Sequence, residues 1–106
     1  MSLEKKLNTS LEGLYRRTLK EARYNGSYFL KMLHERGGLA AAKALINKTD
    51  PSEGFARLWE IGRLDLTVEA FVLENPEFHS LFTSEELGKA RKRLTDLKYT
   101  RKADEA

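Results

Sequence analysis

The stretch Asp50-Pro51-Ser52-Glu53-Gly54-Phe55-Ala56-Arg57-Leu58-Trp59-Glu60-Ile61-Gly62-Arg63-Leu64-Asp65-Leu66-Thr67-Val68-Glu69 holds a helix start, a helix stop and a second helix start. Asp50 reads as an acidic cap, Pro51 as the first helical residue, where its missing N–H costs nothing, and Glu53 as a carboxylate that reaches back to the cap amide. The helix then presents Phe55, Leu58 and Trp59 and runs to about Ile61. Gly62 stops it, because glycine adopts the left-handed backbone a helix end needs. Thr67 caps the next helix, with Leu66 and Phe71 spaced as a hydrophobic staple and Glu69 facing the positive helix end; Asp65 is the competing cap. Two prolines, no sustained strand-like alternation and abundant Leu, Ala, Glu, Lys and Arg extend this helical reading to the whole chain.

The same punctuation extends upstream. Leu3, Leu7, Leu11, Leu14, Thr18 and Ala22 recur every three or four residues, the spacing of one helix face, so a long first helix is expected from Leu3 to Arg23. Asn25-Gly26 ends it, since both residues tolerate positive φ. Ser27 is placed to cap a short helix carrying Tyr28, Phe29, Leu30, Met32 and Leu33, which Gly37-Gly38 stops. An alanine-rich helix follows from Leu39 to Asn47, its Ala40, Ala41, Ala42 and Ala44 small enough to admit a close neighbour.

Downstream, Asn75-Pro76 breaks the chain and opens a single turn holding Phe78, Leu81 and Phe82. Thr83-Ser84-Glu85-Glu86 is a capping box for a last helix to about Leu97, with Leu87, Ala90, Leu94 and Leu97 inward. The expected fold is all-α: a compact single-domain bundle of about six helices over residues 1–99, with a frayed polar tail over 100–106. The first-helix leucines and the aromatics Tyr15, Tyr24, Tyr28, Phe29, Phe55, Trp59, Phe71, Phe78 and Phe82 are assigned to its core.

At 106 residues the chain suits one domain, burying about 65% of the surface its unfolded form exposes. No apolar run approaches the roughly 20 residues of a membrane span, and the start lacks a signal-peptide core. Cysteine is absent, which excludes a disulfide framework and thiolate metal sites. A soluble cytoplasmic protein is the expectation. The net charge of +3 is unevenly spread: the middle third is acidic and both ends are basic.

Two charged clusters are candidate sites. Arg57, Glu60, Arg63, Asp65 and Glu69 surround the joint between the fourth and fifth helices, where a close turn gathers them into a polar site. Helical spacing also makes Glu53 with Arg57, and Glu60 with Arg63, ordinary local ion pairs. In a tight joint, a planar bidentate contact from Arg63 or Arg57 to Asp65 fixes the angle between helices. The second cluster is basic: Lys89, Lys92 and Arg93 on the exposed side of the last helix, with Arg16, Lys20 and Arg23 on the first, are candidate phosphate contacts for nucleic acid.

His34 and His79 stand apart, without partners at metal-ligand spacing, so no metal and no cofactor are expected. Nucleophile elbows, phosphate loops and dinucleotide glycine patterns are absent, and no enzymatic activity is expected.

The segment from Pro51 to Leu73, with Gly37-Gly38 and the start Phe82-Thr83-Ser84-Glu85-Glu86-Leu87, resembles a small uncharacterised bacterial all-helical domain. The resemblance implies a compact bacterial module and carries no activity. The expectation is a non-enzymatic helical interaction or regulatory module that binds a protein partner or a second copy of itself; the alternative is nucleic-acid binding through the basic ends.

Overall fold

Ser2 opens the first helix, its hydroxyl accepting the Lys5 amide at 3.2 Å. The structure, a computed structural model, describes residues 2–97; the expected tail over 100–106 lies outside them. Helix α1 spans Leu3–Glu21 and buries Leu7, Leu11, Leu14 and Thr18 along one face. The buried Thr18 hydroxyl donates to the Leu14 carbonyl at 2.8 Å. The helix ends two residues before Arg23, earlier than expected. Arg23 itself adopts the left-handed conformation, φ +54°, that residue type favours at Asn25-Gly26. The turn folds the chain back, so that the Tyr24 amide donates to the Thr18 carbonyl.

Helix α2, Ser27–Arg36, begins at the residue read as its cap, with Gly26 in the cap position. Gly37, at φ +86°, separates it from α3, Gly38–Asn47, with no intervening loop. Helix α3 is the hub of the bundle, packing on α1, α2, α5 and α6. Its Ala41 and Ala42 are fully buried, which is how the neighbours come close. Gly38 is tighter still. A Cβ there would lie 2.9 Å from the Asn8 Cα of α1, and the Gly38 amide donates to Asn8 Oδ1 at 2.7 Å.

Helix α4 spans Glu53–Glu60, but Ser52 caps it rather than Asp50, accepting the Phe55 amide at 3.1 Å. Ser52 wins because its hydroxyl sits three residues before an available first-turn amide, and Pro51 falls just outside the helix. Gly62 is left-handed, as a stop requires, at φ +73°. A 3-10 helix, Leu64–Leu66, leads to α5, Val68–Glu74, capped by Thr67 as expected. The turn opened by Pro76 is longer than one turn: a 3-10 helix, Pro76–Leu81, holds Phe78 in the core. Helix α6, Ser84–Asp96, starts with the complete capping box of Thr83 and Glu86. Among the described residues there are thus six α-helices, two 3-10 helices and no strand.

The core joins Leu7 and Leu11 of α1, Ile46 of α3, Leu66, Val72 of α5 and Phe78, all at most 2% exposed. The radius of gyration, 12.8 Å, is that of one close-packed globule of this length. Among the described residues, no buried side-chain nitrogen or oxygen lacks a hydrogen-bond partner.

Candidate functional site

The joint does not collect its charges into one polar site. Arg57 pairs at 3.6 Å with Glu60, both exposed, rather than with Glu53, and Arg63 pairs with Glu21 and Asp65 rather than with Glu60. Arg63 does make the planar bidentate contact. Its Nε and one terminal nitrogen each meet a carboxylate oxygen of Asp65 at 3.0 Å, and the same nitrogen donates to Glu21 of α1 at 2.8 Å. This clamp ties the end of α1 to the joint. Arg63, with Arg17 assisting, holds the Glu21 carboxyl at about 2.

Glu69 belongs elsewhere. It is 2% exposed and pairs with Arg93 of α6 at 2.8 Å. Burial pushes its carboxyl above the ordinary value, against the pull of Arg93 and of its own backbone amide.

Arg93 therefore corrects the expectation for the basic face. Its side chain is only 11% exposed, not solvated. It donates to the carbonyls of Leu45 and Lys48, at 3.1 and 2.7 Å, and so closes the open end of α3. Its guanidinium also lies 5.9 Å from the centre of the Phe55 ring. Lys89 is engaged too, donating to Asn47 Oδ1 at 3.0 Å and pairing with Glu85. Lys92 pairs with Asp96 and Arg16 with Glu12, each along its own helix. Lys20 and Arg23 are exposed. Helices α1 and α6 do not form a substantial contact, so the two basic stretches stand on separate elements.

The other conspicuous polar cluster is a seam between α3 and α6. Glu86 accepts from the Thr83 amide, Asn47 and Lys43 at 2.9, 2.8 and 3.0 Å. Burial works against its charge, but these donors outweigh it and hold the carboxyl at about 2.

The feature best formed to receive something is apolar. A pocket of about 320 Å³ opens between α1, the 22–26 linker, α2, the end of α3, α4 and the segment 66–69. Leu14 and Tyr15 come from α1, Tyr24 from the linker, Tyr28 and Phe29 from α2, and Phe55 and Leu58 from α4. The left-handed Arg23 turns Tyr24 inward, and the Tyr24 ring lies over the first turn of α4, where a Cβ on Gly54 would sit 3.5 Å away. The Tyr15 hydroxyl donates to Asn25 Oδ1 at 2.9 Å, fixing that ring beside the linker. The Tyr24 hydroxyl is made less acidic by burial first, then by the Glu53 carboxylate, with Arg57 opposing.

The serine and threonine hydroxyls in the lining are committed to the backbone: Thr18 to the Leu14 carbonyl, Thr67 to the Leu64 carbonyl and the Ala70 amide, Ser52 to the Phe55 amide. Glu69, in the wall, is held by Arg93. The rim carries Lys48 and Glu53, neither of which forms an ion pair among the described residues. Such a lining is suited to bind an apolar group.

The sequence places these aromatics and Trp59 in the core. For Tyr28 and Trp59 that is corrected: they are 70% and 49% exposed, and Leu19 and Ile61 are exposed as well. The available signal was Tyr24-Asn25-Gly26-Ser27-Tyr28-Phe29, three aromatics straddling a turn, where a chain reversal cannot bury them all. His34 is exposed, and His79 Nε2 lies 2.8 Å from the Val72 carbonyl. Among the described residues no group of three or more His, Cys, Asp or Glu side chains is placed to hold a metal, and no helix is long and apolar enough to cross a membrane.

No protein-family model matches this chain, and neither a curated protein nor a solved structure does. The resemblance of 51–73 to a bacterial helical domain therefore assigns no family.

Proposed function

We propose that this protein is a non-enzymatic helical interaction module that binds a polypeptide partner through the face carrying the aromatic pocket. The observation behind this reading is the exposure of large apolar side chains there. Tyr28, on the pocket wall, is 70% exposed. Leu19 lies one turn along α1 from the wall residue Tyr15, and Trp59 one turn along α4 from the wall residue Phe55. Exposed apolar surface contiguous with a preformed pocket favours association. The charged groups, by contrast, are spent on structure: Arg63 clamps two elements, and Glu69 and Arg93 neutralise one another inside the bundle. The nucleic-acid alternative has less support, because Arg16, Lys89 and Lys92 have local acidic partners and Arg93 is enclosed.

A photo-reactive residue placed at position 28 or 59 in host cells tests the reading, with exposed position 91 on α6 as the control. A discrete adduct of one mass from 28 and 59, absent from 91, is expected; an adduct of twice the chain mass identifies a second copy. Diffuse labelling of equal yield from all three positions would remove the proposal.

A further inference from the structure

We infer that the pocket is the anchor of that surface and receives one aromatic side chain of tryptophan or tyrosine size, from a polypeptide segment bearing charged groups of both signs beside it. The inference rests on the interaction reading and names what that interaction recognises.

Size comes first. A cavity of about 150 Å³ accommodates a single benzene ring. At about 320 Å³ this pocket takes a two-ring group or a ring with its attachment, more than an aliphatic side chain fills. The wall chemistry agrees. Tyr15, Tyr24, Tyr28, Phe29 and Phe55 surround the space, and aromatic rings favour other rings in offset or edge-to-face contact beyond simple area burial. Aromatic anchors in desolvated pockets are also the groups that dominate protein interfaces.

The rim decides between a free small molecule and a polypeptide. Lys48 and Glu53 bracket the loop before α4, both exposed and without an ion-pair partner among the described residues. They offer one ammonium and one carboxylate to flanking groups of opposite sign. The exposed Leu19 and Trp59 lie a turn beyond the wall, so apolar surface continues past what a ligand filling the pocket would cover.

Backbone amide shifts of the intact protein, titrated with N-acetyl-tryptophanamide, N-acetyl-leucinamide, tetramethylammonium and the capped tripeptide Asp-Trp-Lys, test this. N-acetyl-tryptophanamide should shift resonances around Thr18, Phe29, Gly54 and Val68, with the leucine analogue at least about fivefold weaker. The tripeptide should bind more tightly than the amide, and Lys48→Glu should remove that gain. Tyr28→Ala should weaken tryptophanamide about tenfold. Its side chain is 70% exposed, so its unfolding midpoint should stay put.

Preferential binding of tetramethylammonium would overturn the inference in favour of a cation cage. Equal binding of the leucine analogue, shifts away from the pocket, or no binding at all would overturn it as well. Adducts from positions 28 and 59 without tryptophanamide binding would leave the interaction reading and sink the anchor. Tryptophanamide binding without any adduct would sink the polypeptide source.

Discussion

At the residue scale the Glu69–Arg93 pair carries the largest single consequence. Both side chains are almost enclosed, and Arg93 also satisfies two carbonyls at the end of α3. Removing one partner of a buried pair strands the other charge, which costs about 3–5 kcal/mol. Arg93→Ala should therefore lower the urea-unfolding free energy by that amount, and adding Glu69→Met should recover part of it. The Glu69 carboxyl is already pushed up by burial, so the deficit of Arg93→Ala should shrink as pH falls towards 4.5, where protonation removes the stranded charge. Glu21 and Glu86 act in the opposite sense. Each is held at about 2, below its ordinary 4.5, by Arg63 and Arg17 around Glu21, and by Thr83, Asn47 and Lys43 overcoming burial at Glu86. A carboxyl with a depressed folded value stabilises the fold above its unfolded value and loses that contribution as pH falls. The thermal midpoint should thus drop between pH 4.5 and 2, and Glu86→Gln should flatten that slope; an unchanged slope would contradict the assignment. Neither Glu69 nor Glu86 announces its burial in the sequence, because a charge in a helix reads as solvated until its partner, 24 residues on from Glu69 and 39 back from Glu86, is in place.

Elements, by contrast, were largely legible. Thr67 and Thr83 cap the helices assigned to them, since a cap is decided by a hydroxyl and an amide three residues apart. Thr83→Ala should cost about 1 kcal/mol by chemical denaturation, losing one half of the capping box. The misplaced boundaries have the same local origin. Asp50 and Ser52 both had the chemistry of a cap and only one could occupy the position, and Arg23 took a left-handed turn that residue type alone assigns to Asn25 or Gly26. The packing of one element on another is less visible. Gly37-Gly38 reads as a helix stop, which Gly37 is; Gly38 is needed because α1 passes against it. Gly38→Ala should destabilise the protein by about 1–3 kcal/mol, because the added methyl meets backbone rather than a movable side chain. A neutral or stabilising result would mean that α1 and α3 separate freely.

For the whole molecule, the spread of charge matters more than its sum. The net charge of +3 suggests a polyanion partner only if the bases form a continuous field. Here Arg93 is internal, Lys89 is bound to the α3–α6 seam, and Arg16 and Lys92 have acidic neighbours. A generic 20-base-pair duplex should show little binding at 150 mM salt, and tight binding with a steep salt slope would restore the nucleic-acid reading. The apolar counterpart is the pocket face, assembled from segments between Leu14 and Glu69, of which only the aromatics of 24–29 stand together in the chain. The all-helical class, the number of helices and most of their ends are legible in the residue order, because caps, stops and apolar periodicity act within about one turn of chain. Which charges pair inside, which glycine touches a neighbour and which aromatics remain outside follow from the packing of the helices on one another. Periodicity tells a helix which face to bury, but what that face meets depends on how distant elements share one limited core.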